Sequence, residues 1–521
     1  MTIVGPVTAG VLRGEKSRFQ LFGDTVNTAA RMESTGKPGR IQVSQATAQY
    51  LVAQHKQHWL QRREDSVAAK GKGVLETYWL IPRDKSSNSD RPSSCDDDDG
   101  GASAIEELSD NHRQTRLIDW IVSIMLDRIR EIVARNEAIQ IPRDRPNNLK
   151  LDPLPDPDAT CLDETVDMIN LPKFDAQANV RADPTLVKIP NNVEEQLRSC
   201  VSTIASTYRE NPFHNFEHAC HVTMCVDKFL KRIVAPDVEP TFLDETSLAS
   251  TLHDYTHGIH SDPLTILAIL FSALVHDADH RGVSNVQLGK EDEGLCRHYK
   301  GKSLAEQNSL DMTWDILMSD HYQDLRTFIF ANRDELQRFR QVVVNVVLAT
   351  DIFDKELNNL RKSRWIRAFS DSMPEGEHSN NVRNLRATIV MEHIMQASDV
   401  CHTMQHWHIY RKWNERLFFE MCEAYQHGRM SHDPSIGWYQ GELSFFDNYV
   451  IPLAKKLKEC SVFGVSSDEC LNYAIQNRAE WQQRGEAIVQ QLMEKVANKA
   501  KAETSVHSVM RNPSWSMMDD P

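Results

Sequence analysis

The sequence lacks a net positive charge, paired cysteines and any long apolar run. Its 521 residues carry a formal net charge of -15 at pH 7, and no basic patch stands out, which argues against nucleic-acid binding as the main activity. Ten cysteines are scattered without a C-x-x-C pair. This spacing argues against a disulfide framework or a zinc ribbon and favours reduced thiols.

Targeting signals are also missing from the sequence. The start MTIVGPVTAG has no charged region and no long apolar core, so it is unlike a signal peptide. The longest apolar run, residues 266–275, is too short to span a membrane. We therefore expect no membrane segment, and a location in the cytoplasm or in the cytosolic part of a longer membrane-bound protein.

Composition divides the chain into four parts. Residues 1–83 mix β-branched runs such as IQVS and TYWLI with glycine turns, which predicts a small α/β or α+β half-domain. Residues 84–112 hold nine acidic and two basic residues with few large apolar side chains, which predicts a disordered acidic linker. Residues 113–500 repeat apolar residues every three or four positions, the helical period. Residues 501–521 look like a flexible tail. The predicted fold class is mainly α.

Histidine is concentrated in the segment NPFHNFEHACH. If this segment is helical, His214, His218 and His221 lie on one face. Two further polar groups stand at the ends of apolar helices: HDADH, residues 276–280, and Asp399 in QASDVCH. Charges at the end of a core helix need a partner or a metal.

Two histidines and two aspartates would then come from three helices. Imidazole suits zinc, carboxylates suit magnesium or manganese, and a carboxylate can bridge two ions. The sequence therefore predicts a two-metal site, which can polarise a phosphoryl oxygen and supply hydroxide at neutral pH.

Four motifs in this order resemble the class I 3′,5′-cyclic nucleotide phosphodiesterase catalytic domain of the HD-domain superfamily: HNFEH, HDADHRGVSN, LATD and SDV followed by YRKW. The resemblance covers roughly residues 135–490. It implies an all-helical domain that hydrolyses cGMP or cAMP to 5′-nucleoside monophosphates through a hydroxide that bridges two metals.

The resemblance also implies a role for each matching residue. His214 would be the general acid, and Glu420 would orient it. The ligands of the first metal, zinc, would be His218, His276, Asp277 and Asp399. Asp277 would also bridge to the second metal, magnesium or manganese. The groups around the metal waters would be His280, Glu306 and Thr350. The substrate would contact His214, His218, Asp277, Asp399, His402, Leu417, Glu442 and Phe445.

Two departures from the family pattern affect these expectations. Glu442 stands where the family has a glutamine that binds the purine edge, and Gln440 stands two residues earlier. Either an ionised Glu442 accepts hydrogen bonds from guanine, or Gln440 reaches the pocket through a bulge. Asn308 and Ser309 replace two histidines of many relatives, so the surroundings of the metals are altered.

Residues 1–82 resemble the carboxyl-terminal half of a class III, guanylate-type nucleotide cyclase domain, on GPVTAGV, FGDTVNTAARMES and KGKGVLETYWL. Asn27 and Arg31 match the residues that orient the ribose and stabilise the phosphate, and Lys70 or Lys72 matches a lysine near the triphosphate. The aspartates that bind the metals in such domains belong to the earlier half. We therefore expect this chain not to cyclise nucleotides. A homodimer through residues 1–82 would not supply these aspartates. We therefore interpret the sequence either as a truncated gene model or as a fragment of a bifunctional cyclase–phosphodiesterase.

Two other functions compete with hydrolysis of cyclic nucleotides. The changes at Glu442, Asn308 and Ser309 fit a regulatory module that binds cyclic nucleotides with weakened turnover. HNFEH also fits the H-x-x-E-H pattern of one metallopeptidase family, with Glu217 as base. The peptidase hypothesis leaves HDADH and Asp399 without a role.

Overall fold

A computed structural model divides the chain into two units, residues 1–101 and 102–521. The structure describes residues 8–12, 18–22, 28, 32, 35–37, 40–53, 59–63, 67–69, 73–80, 101–145, 148–153, 156–233, 244–369, 380–463 and 468–510. Only the backbone is described for residues 8–12, 18–22, 53, 67–69, 73–75, 101–112 and 500–510.

The first unit contains short antiparallel strands and one described helix of more than one residue. The strands are β1 (Thr8–Leu12), β2 (Arg18–Phe22), β3 (Ile41–Ser44), β4 (Leu60–Arg62), β5 (Val67–Ala69), β6 (Gly73–Leu75) and β7 (Thr77–Leu80), with α1 (Gln45–Ala53) after β3. They pair as β1–β2, β3–β7–β4 and β5–β6. Trp79 of β7 is buried and lies opposite Gln42 of β3. Since every described pair is antiparallel, this unit is of the α+β kind.

The described residues of the second unit form helices joined by loops and turns, with no strand among them. Its helices are α2 (Gly101–Ala138), α3 (Ala176–Arg181), α4 (Asn191–Thr207), α5 (Phe216–Lys231), α6 (Glu245–Tyr255), α7 (Pro263–Val275), α8 (Asn285–Glu291), α9 (Glu293–His298), α10 (Leu304–Met318), α11 (Gln323–Ile329), α12 (Arg333–Leu348), α13 (Lys355–Phe369), α14 (Asn380–Asp399), α15 (Trp407–Gln426), α16 (Trp438–Phe445), α17 (Ile451–Glu459) and α18 (Glu469–Met510). The prediction of a mainly helical protein is confirmed.

Two boundaries differ from the sequence-based expectation. Residues 101–112, expected to end the acidic linker, form the first turns of α2. Their Ala, Glu and Leu residues favour helix, and the apolar repeat that follows lets the helix propagate backwards. Residues 501–510, expected in the tail, continue α18. Residues 84–100 and 511–521 lie outside the described residues, where linker and tail stay predictions.

Helix α7 is the centre of the second unit. All 13 of its residues are buried, and it packs against α5 and α12, while α14 packs against α5, α7 and α12. Pro263 occupies its first turn, where the missing N–H costs nothing. A helix covered on all sides has an apolar sequence on all sides, as PLTILAILFSALV shows. Polar residues therefore return only where α7 ends, at His276.

No helix within these described ranges has both the length and the apolar character needed to cross a bilayer.

Candidate active site

Four side chains that the sequence singled out lie together at the ends of three helices. His218 lies in the first turn of α5, His276 and Asp277 follow α7 directly, and Asp399 is the last residue of α14. Their ligand atoms all lie within 4.8 Å of one another. We call these four residues the four-residue cluster.

The distances within the four-residue cluster suit donors that share one ion. His218 Nε2 lies 3.1 Å from Asp399 Oδ1 and 3.7 Å from Asp277 Oδ2. His276 Nε2 lies 3.1 Å from Asp277 Oδ2 and 3.4 Å from Asp399 Oδ1. Both imidazoles are fully buried, whereas 15% and 26% of the Asp277 and Asp399 side chains are exposed. The carboxylates therefore form the open side of the cluster.

His276 shows which of its nitrogens is free to bind a metal. Its Nδ1 lies 3.0 Å from the carbonyl oxygen of Ala273 and donates to it. Its Nε2 is buried and faces the carboxylate oxygens of Asp277 and Asp399, 3.1 and 3.4 Å away, but neither contact has the angle of a hydrogen bond. A ring fixed in this tautomer presents a lone pair to an ion. The residues present therefore fit a divalent metal.

His214 lies beside the cluster and is bound to Glu420 of α15. The ring Nδ1 contacts Glu420 Oε1, while Glu420 Oε2 accepts from the backbone N–H groups of Phe213 at 2.8 Å and His214 at 2.9 Å. The Phe213 ring packs on both His214 and His218, with centroids 4.8 and 4.6 Å away. These contacts fix the acid candidate relative to the cluster.

Charge controls the protonation of this pair. Burial lowers the pKa of His214, but the Glu420 carboxylate outweighs it and raises that pKa to about 9. Burial opposes the ionisation of Glu420 as well, yet the His214 charge lowers the Glu420 pKa to about 2. At neutral pH the pair is therefore an imidazolium and a carboxylate.

The condition under which His214 would share a helical face with His218 and His221, a helix over the whole segment, is not met. Helix α5 begins at Phe216, and Asn215 caps it by accepting from the backbone N–H of His218 at 3.0 Å. An asparagine N-cap has extended backbone angles, so the residue before it cannot belong to the helix. His214 reaches the site from the preceding loop.

The three residues expected around metal waters have separate surroundings. His280 stacks on His214 with ring centroids 3.9 Å apart, and burial together with the His214 charge lowers its pKa to about 4. Glu306 accepts from Asn285 Nδ2 at 2.9 Å, and burial and the Asp351 charge raise its pKa to about 7. Thr350 donates its hydroxyl to the carbonyl of Val347 at 2.8 Å.

Asn308 and Ser309 hold the loop that follows α7. Asn308 Nδ2 donates to Asp279 Oδ2 at 3.3 Å, and Ser309 Oγ lies 2.7 Å from the carbonyl oxygen of Ala278. Asp279 has a φ of 60°, which a non-glycine residue adopts only at a cost. The two residues that depart from the family pattern thus stabilise the strained loop that carries His276 and Asp277.

Glu442 is buried and surrounded by donors. Its Oε2 accepts from the Tyr410 hydroxyl at 2.6 Å, and the Asn414 amide also hydrogen-bonds to it. Trp438 Nε1 donates to Asn414 Oδ1 at 3.5 Å, which turns the Asn414 NH₂ towards Glu442. Burial raises the pKa of Glu442 to about 7. Gln440, the alternative purine contact, is exposed.

Three further residues were expected to contact the substrate. Phe445 follows Glu442 by three residues on α16, hence on the same face, and stacks on Tyr449 at 5.4 Å. His402 is 6% exposed, and its Nδ1 has no partner. Leu417 is half-buried on α15 and packs on the main core. A buried polar atom without a partner is typical of a site that awaits a ligand.

Glu217, the base of the metallopeptidase hypothesis, is engaged elsewhere. Its carboxylate pairs with Arg416 at 2.9 Å, with Lys412 at 3.5 Å and with Arg113. It does not join the four-residue cluster. This carboxylate stabilises contacts between helices.

Sequence reasoning missed Asp351, Asn285, Tyr410 and Asn414. Asp351 is buried, accepts from Ser303 Oγ at 2.8 Å and shares Asn285 with Glu306. LATD and YRKW contain Asp351 and Tyr410, so the motifs themselves were the available signal. Asn414 carries no such signal, because its contact with Glu442 depends on how α15 meets α16.

The cyclase-like residues cannot be placed in the same way. Asn27, Arg31 and Lys70 lie outside the described residues.

Two protein families match the chain. The profile of the 3′5′-cyclic nucleotide phosphodiesterases matches residues 213–463. The profile of the adenylate and guanylate cyclase catalytic domain matches residues 3–82. Each match covers one of the two regions that the motifs distinguish.

Individual relatives divide in the same way. The probable 3′,5′-cyclic phosphodiesterase pde-1 of Caenorhabditis elegans is 26% identical over 233 residues, which are 45% of this chain and 29% of that protein. The receptor-type guanylate cyclase gcy-4 of the same organism is 47% identical over 88 residues, 17% of this chain and 8% of that protein. Guanylate cyclase D of Mus musculus is 53% identical over 76 residues, 15% and 7% respectively. The chain thus spans at most 29% of the length of these relatives.

Among solved structures, the phosphodiesterase domain of Salpingoeca rosetta rhodopsin phosphodiesterase aligns with a TM-score of 0.44 and 21% identity. The alignment covers 68% of this chain and 98% of that domain.

Proposed function

We propose that the chain hydrolyses 3′,5′-cyclic nucleotides to 5′-nucleoside monophosphates. Its residues 213–463 match the family of 3′5′-cyclic nucleotide phosphodiesterases, and residues 3–82 match the adenylate and guanylate cyclase catalytic domain. The observation that carries the proposal is the convergence of two histidines and two aspartates beside a histidine–glutamate pair. Metal-binding donors and a proton donor are the two devices that phosphodiester hydrolysis needs.

The four-residue cluster would hold the first of two divalent ions, zinc, and Asp277 would be shared with the second, magnesium or manganese. The buried lone pair of His276 Nε2 and the mixed imidazole and carboxylate donors support this assignment. When bound, the ions supply Lewis-acid activation of the phosphate and a nucleophilic water at neutral pH. His280, Glu306 and Thr350 would order the water around them.

His214 would donate the proton to the departing O3′ oxygen. Its pKa near 9 keeps it protonated at neutral pH, because Glu420 stabilises the imidazolium. Glu420 also fixes the ring through Nδ1 and two backbone N–H groups, so Nε2 remains to carry the transferred proton. A well-placed acid of this kind contributes a factor of about 10² to 10⁴ in rate.

Purine choice would run through Glu442, with a preference for cGMP. Tyr410 and Asn414 each donate one hydrogen bond to its carboxylate. An ionised carboxylate can accept about four hydrogen bonds, so acceptor positions remain for a base. Guanine offers N1–H and N2–H₂ as donors, whereas adenine presents an unprotonated N1 whose lone pair would face the carboxylate. Phe445 would stack on the base, with His402 and Leu417 beside it.

The direct test is hydrolysis by the purified chain. We expect it to convert cGMP and, more slowly, cAMP to the 5′-monophosphates when Mg²⁺ or Mn²⁺ is supplied. His214→Ala should nearly abolish turnover. His427→Ala, which removes an exposed imidazole directly after the end of α15, should leave turnover unchanged. Tight binding of cyclic nucleotide with no hydrolysis under any metal would refute the proposal in favour of the regulatory module.

The remaining expectations stay proposals of the same kind. A homodimer through residues 1–83 is supported by the cyclase match alone, and sedimentation of the chain with and without these residues tests it. Fractionation of cells tests the expected cytoplasmic location.

A further inference from the structure

A second group of possible metal ligands lies beside the active site. His221, Cys225 and Cys401 bring their ligand atoms within 4.8 Å of one another. Cys401 Sγ lies 3.6 Å from His221 Nδ1 and 2.7 Å from Cys225 Sγ. We call these three residues the sulfur cluster; it shares no residue with the four-residue cluster.

Local structure explains why these three side chains meet. His221 and Cys225 are four residues apart on α5, so they face the same way. Cys401 lies in the short 3-10 turn Cys401–Met404 that follows α14. Both thiols are almost fully buried, at 6% and 3% exposure, and the His221 ring stacks on Trp413 with centroids 5.1 Å apart.

We propose that the sulfur cluster binds a thiophilic metal ion, Zn²⁺, through His221, Cys225 and Cys401. Two thiolates and an imidazole are a donor set that zinc prefers over oxygen-rich sites. Gln405 provides a fourth neighbour, since its amide contacts Cys225 Sγ at 3.3 Å. A half-turn of that amide would present its oxygen instead of its nitrogen.

The sulfur–sulfur distance needs a small adjustment for a metal. Zinc–sulfur bonds of about 2.3 Å at a tetrahedral angle place two sulfurs about 3.8 Å apart. The observed 2.7 Å is therefore about 1 Å too short, a change that rotation of one thiol can provide. His221 Nδ1 at 3.6 Å from Cys401 Sγ already matches a tetrahedral edge. Binding displaces one proton from each thiol, so two protons leave for each ion.

A disulfide is the competing explanation of the same contact. It would require the sulfurs to approach to about 2.05 Å and an oxidant to accept two electrons. It would also make no use of the imidazole of His221, which lies beside both sulfurs and hydrogen-bonds to Gln405. The His221 nitrogen beside the two sulfurs therefore favours a metal site over a disulfide.

Cobalt provides the test, because sulfur-to-cobalt charge transfer gives a strong near-ultraviolet band. The four-residue cluster contains no sulfur, so the band reports cobalt bound to cysteine and not cobalt in that cluster; since the chain has ten cysteines, the variants assign it to the sulfur cluster. We expect the full chain, reduced and freed of metal, to develop the band on titration with Co²⁺ and to saturate at one sulfur-bound ion per chain. Zn²⁺ should then bleach it.

Variants identify the ligands. Cys225→Ser and Cys401→Ser should each lose the band and one tightly bound zinc per chain by elemental analysis. Cys220→Ser on the same helix, whose thiol is not part of the sulfur cluster, should retain both. His221→Ala should weaken the affinity while a sulfur band remains.

Three results would overturn the proposal. These are no band in the unmodified chain, an equal loss of the band in Cys220→Ser, or a Cys225–Cys401 disulfide in protein isolated under thiol-free, oxygen-free conditions. Absence of the band from the unmodified chain refutes the proposal even if the variants do not fold. Because hydrolysis is not measured, a chain without phosphodiesterase activity could still pass or fail this test.

Discussion

Replacement of Glu442 by glutamine should change how the cGMP/cAMP preference depends on pH. In the unmodified chain, burial raises the Glu442 pKa to about 7. Above that pH the carboxylate only accepts hydrogen bonds and favours guanine. Below it, the protonated acid can donate to adenine N1, and the preference narrows.

The magnitude follows from one mispaired contact. Two acceptors facing each other in a buried site cost about 1 to 3 kcal/mol, which corresponds to a factor of about 5 to 150 in kcat/KM. We therefore expect the cGMP/cAMP ratio to rise by that order between about pH 6 and about pH 8.5, with its midpoint near the Glu442 pKa. Glu442→Gln should give a ratio that is smaller at high pH and flat across this range.

The assay compares kcat/KM for both substrates at each pH with saturating metal. Gln440→Glu is the matched control, because it places a carboxylate two residues away on the exposed side of α16 and should leave the ratio unchanged. A flat ratio in the unmodified chain, together with an unchanged ratio in Glu442→Gln, would show that Glu442 does not read the purine.

The other predictions concern proton donation, metal binding and stability. His214→Ala should lower kcat by a factor of about 10² to 10⁴ while the protein keeps its metal. Asp277→Ala should lose metal, as measured by elemental analysis. Equal metal content and normal turnover in both variants would contradict the assigned roles. Because the pKa of His214 is near 9, activity should fall as pH rises through that value. Glu420→Gln should move this fall in the profile of kcat/KM against pH to lower pH. A profile that does not move would exclude Glu420 as the cause of the raised His214 pKa. Arg364→Ala should cost about 3 kcal/mol in chemical denaturation, because Glu392, 2.8 Å away, would stay buried without its ion-pair partner. Only the Asn345 amide at 3.4 Å and the Arg361 charge would still stabilise that carboxylate. A loss below about 1 kcal/mol would show that the pair is not effectively buried.

Some of the site could be predicted from the sequence because it depends on local pattern. The apolar run of α7 ends abruptly at His276, and α14 ends at Asp399, so both polar positions stood out as helix ends in need of partners. Burial on all sides forces such a helix to be apolar on all sides, which leaves an unambiguous record in the sequence.

Other features depend on contacts between distant segments. Whether Glu442 or Gln440 faces inward was undecided in the sequence, since a bulge could exchange them; the regular turn of α16 and the donors Tyr410 and Asn414 place Glu442 inside. The sulfur cluster needed Cys401 to come within reach of α5 across 176 residues. The exclusion of His214 from α5 did have a local signal, the cap residue Asn215.

The complete burial of α7 has a consequence for how the protein is made. Of its main covering helices, α5 is synthesised before it, but α12 and α14 come later, and Asp399 follows Val275 by 399 − 275 = 124 residues. At about 5 to 20 residues per second, ribosomes need about 6 to 25 seconds to produce that interval. Throughout this time thirteen consecutive core residues lack their final covering. The nascent chain therefore passes through a period in which its most apolar helix is open to chaperones and to aggregation, and that period ends with the same residue that completes the four-residue cluster.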